Sequence, residues 1–332
     1  MPMRRRAALT LPALVMPALV MPGLIRPVRA QERYPDRPVR LVIPFATGGS
    51  NDVVGRLVAE GMGQRLGQTF VVENRGGAGG LIGNDLVAKS RTEGYDLLLA
   101  GSGSFLISSL VQPRVPYDVA ADFTPVGFIG QAPNVICLNP SVPARNLREL
   151  QEVAKKANPP LTYGSPGVGT TGHVLPAMIA LTLGVQMEHV PYRGTGPALT
   201  DVLAGRLSMI TNALAPLKPH IESGALRAIA LAAGARSAVM PNIPTTGEEG
   251  FPTILSSTWY GIVGPKDMPA DRVARLHTAL NATLADPEIA RRLLDEGVEV
   301  QPSPTPADYA RFLTEDRERW ADVVRRANIK AE

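Results

Sequence analysis

Apolar and polar positions along most of this chain alternate between two spacings. Leu41, Val42 and Ile43 form a short apolar run closed by Pro44, and Val53, Val54, Leu57, Val58, Met62 and Leu66 then recur at helical spacing. This predicts a buried strand, a turn and an amphipathic helix. The unit repeats as a strand at 70–73, a glycine turn at 76–80, a helix at 82–89 and a strand at 97–100 that runs into a Gly-Ser-Gly-Ser loop at 101–104. Strand, helix, strand, helix, strand implies a parallel, doubly wound sheet, in which ligands sit beyond the carboxyl ends of the strands. The loops at 46–51 and 101–104 are therefore expected at one crevice.

The apolar stretch 126–138 is long for a strand and carries Gly130 and Pro133 near its middle, the mark of a segment that leaves one sheet and enters another. A second α/β unit follows: helix 147–157, strand 161–163, loop 164–172, a helix to Leu183, strand 188–190, helix 197–204 and strand 207–211. Residues 256–263 read as a return crossover, which places the helices at 271–285, 287–296 and 306–327 back on the first unit. The expected architecture is α/β, two doubly wound lobes joined by a two-strand hinge, with lobe 1 at 31–131 plus 256–332 and lobe 2 at 132–255.

Residues 1–30 belong to neither lobe. Three consecutive arginines, a proline-punctuated apolar segment and Val28-Arg29-Ala30 describe an export signal, too short and too broken for a membrane span. Its removal changes the charge. Five of the 34 basic residues and none of the 30 acidic ones lie there, which leaves 29 against 30, about −1. The basic balance belongs to the leader, and no basic stripe with interleaved aromatics remains for nucleic acid. Cys137 is the one cysteine, so neither an intrachain disulfide nor a thiolate metal site is available.

The chemistry-bearing stretch is Leu41 to Asp52. Glycines 48 and 49 leave the backbone approachable, Ser50 or Asn51 caps the helix, and the free N–H groups of its first turn make a socket for an anion. Asp52, in that turn, is expected to shape the loop. Residues 167–172 spell GxGxxG after a strand, with Glu188 near the place of a ribose-binding acid, so an exported NAD(P)-dependent oxidoreductase is the rival reading. Pro166 and the export of the chain weigh against it. The four histidines have no ligand spacing, and no GxSxG elbow is present, so the serines read as hydroxyl donors to an anion. Trp259 and Trp320 read as packing residues.

Several motifs together resemble one family: YPDRPVRLVIPFATGGSND, VVENRGGAGGLIG, GYDLLLAGSGS, PYDVAADFTPVGFIG, HVPYRGTGPALTDVLAGR, MPNIPTTGEEGFP and WADVVRRANIKAE. In order and spacing, from about Tyr34 to the end, they look like the Bug receptors, the extracytoplasmic substrate-binding proteins of tripartite tricarboxylate transporters. The resemblance implies a type II periplasmic-binding-protein fold that closes on a small carboxylate. Carried over by position, it implies ligand contacts from Phe45, Gly48, Gly49, Ser50, Asp52, Ser102 and Ser104 in the first lobe. In the second it implies Ser165, Gly169, Thr170, Thr171, Tyr192 and Asn212. Thr47 stands where the family usually has proline, Pro166-Gly167-Val168 replaces a more polar stretch, and Asn212 falls where an aspartate is common. The implied protein is a periplasmic, monomeric, non-enzymatic receptor without cofactor, metal or nucleic acid, partnered by a membrane permease or, in the alternative, by a sensor kinase.

Overall fold

The computed structural model describes residues 34–48, 50–192 and 194–330. The expected export signal lies outside the described residues, and so does Gly49.

The opening βα unit sets the geometry for the rest. β1 (Val39–Ile43) is buried except at Arg40 and pairs in parallel with β2 (Phe70–Asn74) and β3 (Asp96–Gly101). Between β1 and β2 runs α1 (Ser50–Leu66), whose Val54, Leu57, Val58 and Met62 are buried against the sheet. Burying those four side chains contributes on the order of 8 kcal/mol before entropy is set against it. Gly55 permits the close approach, since a Cβ there would stand 2.5 Å from Ile43 Cδ1. α2 (Leu81–Ala88) joins β2 to β3, after a short turn at Ala78–Gly80.

Of the expected loop at 101–104, Gly101 closes β3 and the rest is helical. A π-turn, Ser102–Ile107, leaves β3 directly and continues into α3 (Ser108–Val111). Phe105, Leu106 and Ile107 are wholly buried, and their burial draws into a helix a stretch whose glycines and serines read as coil.

β4 (Phe123–Leu138) spans 16 residues and belongs to two sheet segments. Residues 123–133 pair antiparallel with β9 (Ser257–Pro265), and residues 134–138 pair antiparallel with β7 (Met209–Ala213) on one side and β8 (Arg227–Leu231) on the other. The strand order β2-β1-β3-β9-β4-β7-β5-β6 therefore joins two parallel groups through antiparallel strands, a mixed sheet where the sequence pattern alone implies a parallel one. In the second segment, β5 (Leu161–Ser165) pairs in parallel with β6 (Met187–Pro191) and β7. These strands are served by α4 (Leu147–Lys156), α5 (Thr171–Leu183), α6 (Thr195–Leu203) and α7 (Leu214–Glu222).

After β9 the chain returns to the first segment. α8 (Ala270–Leu284) packs on β4 and α1, and α9 (Pro287–Asp295) on α1 and on β10 (Glu299–Val300). α10 (Pro306–Arg326) opens with a capping box between Thr305 and Asp308 and lies on β4, the π-turn and α5. One hydrophobic core runs through both segments, joining Val42 and Leu98 to Leu175, Ile179, Trp259 and Trp320. Tyr34–Glu332 is accordingly one compact unit.

Candidate functional site

The loop after β1 is fastened by the first turn of its own helix. Asp52 is buried; its Oδ2 accepts the Gly48 N–H at 3.0 Å, and its Oδ1 accepts from Arg56 Nε and Asn74 Nδ2, both at 3.0 Å. Asn74 also donates to the Phe45 carbonyl at 3.1 Å. Burial alone would raise the Asp52 carboxyl, but the Arg56 guanidinium and the N–H groups of Gly48 and Asn74 outweigh it and hold it below the usual carboxylate range. Phe45, Gly48 and Ser50 are thus set on a pinned turn, and the Gly48 N–H is already spent on Asp52.

The π-turn after β3 brings two hydroxyls to the junction of the segments. Ser102 and Ser104 are buried, and neither Oγ has a hydrogen-bond partner among the described residues. The turn itself is anchored, with the Ser104 carbonyl accepting from Asn84 Nδ2 at 2.8 Å. Between the two serines, a Cβ on Gly103 would stand 3.6 Å from Thr170 Cα and 3.9 Å from Thr171 N. The π-turn therefore meets the start of α5 at Gly103, while the Ser104 Cβ lies against Gly80 of its own segment. Thr171 Oγ1 lies 3.3 Å from Thr258 Oγ1 on β9, which donates to Asn134 Oδ1 on β4 at 3.1 Å. Asn134 in turn donates to Ser256 Oγ at 2.7 Å. A chain of neutral polar groups thus runs from the α5 start to the segment joining β8 and β9. On β7, beside Gly172, Thr211 Oγ1 is a third buried hydroxyl without a partner among the described residues.

The rest of the second segment's candidates are engaged locally. Ser165 is buried at the end of β5 with its Oγ 2.7 Å from His189 Nε2. Thr170 Oγ1 donates to the Gly167 carbonyl at 2.7 Å, and Gly169 N–H donates to His173 Nδ1 at 3.3 Å. The two imidazoles stack at 3.8 Å. Burial, then the neighbouring ring, pushes His173 down to about 3, and burial pushes His189 down to about 4. Both are neutral at pH 7. Tyr192 OH donates to Asp201 and its N–H to the Ser165 carbonyl at 3.0 Å. Asn212 Nδ2 donates to Thr195 Oγ1 at 2.6 Å while its Oδ1 accepts the Ala213 N–H at 2.8 Å.

The structure thus brings Ser102, Ser104, Thr170 and Thr171 to one place. Ser165 and Gly169 are in contact with histidines, and Tyr192 and Asn212 are turned to α6. Sequence reasoning missed Asn74, Thr211 and Thr258, and it gave His189 no role. Only Asn74 carried a signal, its place in the VVENRGG stretch. The GxGxxG loop does stand between a strand and a helix, but Gly167 N–H bonds Ser165 Oγ at 3.2 Å and Thr170 N–H the Gly167 carbonyl at 3.4 Å. With Gly169 N–H on His173, three of the loop's N–H groups are committed internally, and a pyrophosphate cradle needs them free. Among the described residues no group of three metal-ligating side chains occurs, and no helix is long and apolar enough to cross a membrane.

Sheet order and the shared strand β4 define a two-segment α/β fold whose junction is lined by neutral hydroxyl and amide groups. Solved structures, among them the periplasmic binding protein BugD, share this fold over 88 to 90% of the chain, with TM-scores from 0.78 to 0.82. The chain belongs to the tripartite tricarboxylate transporter family of receptors, whose family model matches residues 54–329. Protein BugT of Bordetella pertussis is 34% identical over 305 residues, covering 92% of this chain and 93% of that protein. Rpa4515 of R. palustris, solved with adipate, is 32% identical at a TM-score of 0.82, covering 90% of this chain and 99% of that one. MatC of Rhodopseudomonas palustris, solved with bound malate, is 30% identical at a TM-score of 0.78, covering 88% and 100%.

Proposed function

We propose that this protein is a non-enzymatic periplasmic receptor that captures a small organic carboxylate and delivers it to the permease of a tripartite tricarboxylate transporter. The observation that carries the reading is the pair of buried, unpartnered hydroxyls of Ser102 and Ser104 on the π-turn whose Gly103 meets the start of α5 at Thr170 and Thr171. A hydroxyl buried without a partner costs about 1 to 3 kcal/mol, and a carboxylate oxygen between these donors and the helix N-terminus removes that cost on binding. Adipate in Rpa4515 and malate in MatC support the same ligand class.

In this reading residues 31–131 plus 256–332 form one lobe and 132–255 the other, with β4 and β9 as the hinge, and residues 1–30 direct export. Phe45, Gly48, Gly49, Ser50 and Asp52 shape or line the first lobe's side of the cleft. Ser165, Gly169, Thr170, Thr171, Tyr192 and Asn212 do so for the second. The protein works as a monomer, without metal, cofactor or nucleic acid. Against a catalytic reading, Ser165 is buried and among the described residues no carboxylate orients the half-buried His189.

The test is to purify the exported protein without refolding and identify what it carries by mass spectrometry. A carboxylic acid in stoichiometric amount is the expected result. A nicotinamide cofactor, or an uncharged compound in its place, would overturn the reading.

A further inference from the structure

Two imidazoles that carboxylate capture does not itself require lie at the base of the loop carrying Thr170 and Thr171. His173 and His189 stack face to face, centroids 3.8 Å apart and planes within 8°, and Tyr163 stacks on His189 at 5.0 Å. Each ring holds one end of the loop: His173 Nδ1 accepts the Gly169 N–H, and His189 Nε2 bonds Ser165 Oγ. The first bond runs one way only. A backbone N–H can only donate, so Nδ1 must keep its lone pair, and the neutral ring carries its proton on Nε2. A proton on Nδ1 would set N–H against N–H and place a positive charge on a ring stacked against its neighbour. Gly169, at φ +78°, is also where the loop meets the first segment, since a Cβ there would stand 3.1 Å from both Cα and Oγ of Ser108. Ser108 Oγ in turn donates to the Gly79 carbonyl at 3.1 Å, which ties the contact to the turn after β2.

We propose that His173 and His189 are positioning residues for ligand capture: as neutral rings they hold the 165–171 loop against Ser108, and uptake of a proton by either ring releases the loop and with it the ligand. The proposal rests on the carboxylate-receptor reading above. Among the described residues no charged neighbour offsets such a proton. The π-turn and β7 bear no titratable side chain, β5 offers the buried phenol of Tyr163, and Glu188 on β6 is exposed, one residue out of phase with His189. The buried carboxylate of α10, Asp316, is taken by Trp259 and Arg319, and on α6 Asp201 pairs with Arg206.

The sign follows from linkage. Rings held neutral in the closed loop regain their ordinary affinity for protons, near pH 6.5, once the loop opens into water. Closure is therefore fully supported above about pH 6.5 and weakens as pH falls, up to about tenfold per pH unit for each ring.

Isothermal titration with malate and adipate from pH 7.5 down to 4.5 tests this on the wild type and four variants, with folding checked by circular dichroism at each pH. His173→Asn and His189→Gln place a non-titrating amide atom where Nδ1 and Nε2 stand; His173→Phe and His189→Phe keep an aromatic ring without the bond. Comparison at equal pH cancels the ligand's own ionisation. The phenylalanine variants should bind about tenfold more weakly at pH 7. The amide variants should recover most of that loss and bind progressively better than the wild type, relative to pH 7, as pH falls; they decide the matter alone if the phenylalanine variants do not fold. Nitrogen-15 NMR should find His173 Nδ1 unprotonated at pH 7. Amide variants that follow the wild-type pH profile, or a proton on His173 Nδ1, would overturn this role alone. Failure of the wild type to bind either acid would overturn the receptor reading and this role with it.

Discussion

Trp259 on β9 donates its indole N–H to Asp316 on α10 at 2.7 Å, and both side chains are buried. The other Asp316 oxygen accepts from Arg319 Nε and Nη2, and Arg319 Nη1 donates to the Leu255 carbonyl at 2.7 Å, just before β9 begins. The pair thus ties the return crossover to the helix that also touches α5. Asp316→Ala strands an indole N–H and loosens an arginine, and should cost about 2 to 4 kcal/mol. Asp316→Asn keeps an acceptor and should cost about half as much. Urea unfolding followed by tryptophan fluorescence measures both, and equal, negligible losses would show that the network contributes nothing.

Ser102→Ala and Ser104→Ala should move stability and affinity in opposite directions. Each removes a buried hydroxyl that has no partner in the protein, so unfolding free energy should stay level or rise by up to about 1 kcal/mol. Each also removes a ligand donor, so carboxylate affinity should fall by about fivefold. Loss of stability with unchanged affinity would make these serines packing residues.

Asp52 predicts an acid limb in the stability curve. Its folded carboxyl lies below the ordinary value, so its contribution is complete above about pH 4 and is lost as pH falls through the folded value. Asp52→Asn should flatten the melting-temperature profile between pH 5 and 2 relative to the wild type. Parallel profiles for the two proteins would contradict the bonds to Gly48, Asn74 and Arg56.

The βα units were legible because their side chains are patterned locally. Leu41 to Ile43 as an apolar run and Val54, Leu57, Val58 and Met62 at helical spacing need no distant partner to be read. α7 escaped because Pro216 and Pro219 interrupt it, and β10 because a two-residue strand has no period. The π-turn at Ser102 was misread as coil, since only the buried Phe105, Leu106 and Ile107 beneath it make it helical. At the site, the serines and threonines were visible through motif and residue type. The stack of His173 on His189 was not, because the two lie 16 residues apart on different elements and meet only when α5 packs over β6.

In the proposed reading Asn212 would bear on selectivity, which a charge change tests. Its amide is fixed to Thr195 and the Ala213 N–H, so the strand end presents no net charge. Asn212→Asp introduces a carboxylate that repels an anionic ligand and can pair with an ammonium group. Calorimetry should find simple carboxylates bound severalfold more weakly by the variant and amino acids bound equally well or better. Identical affinities in both proteins would remove Asn212 from the cleft.

The central claim is that neutral donors on two sides of one junction select a carboxylate. Calorimetric titration of the exported protein with malate, adipate, their diamides and a nicotinamide dinucleotide tests it most directly. The account predicts saturable one-to-one binding of at least one of the two acids and no heat from its diamide or from the dinucleotide. Equal binding of acid and diamide, or binding of the dinucleotide alone, would contradict it.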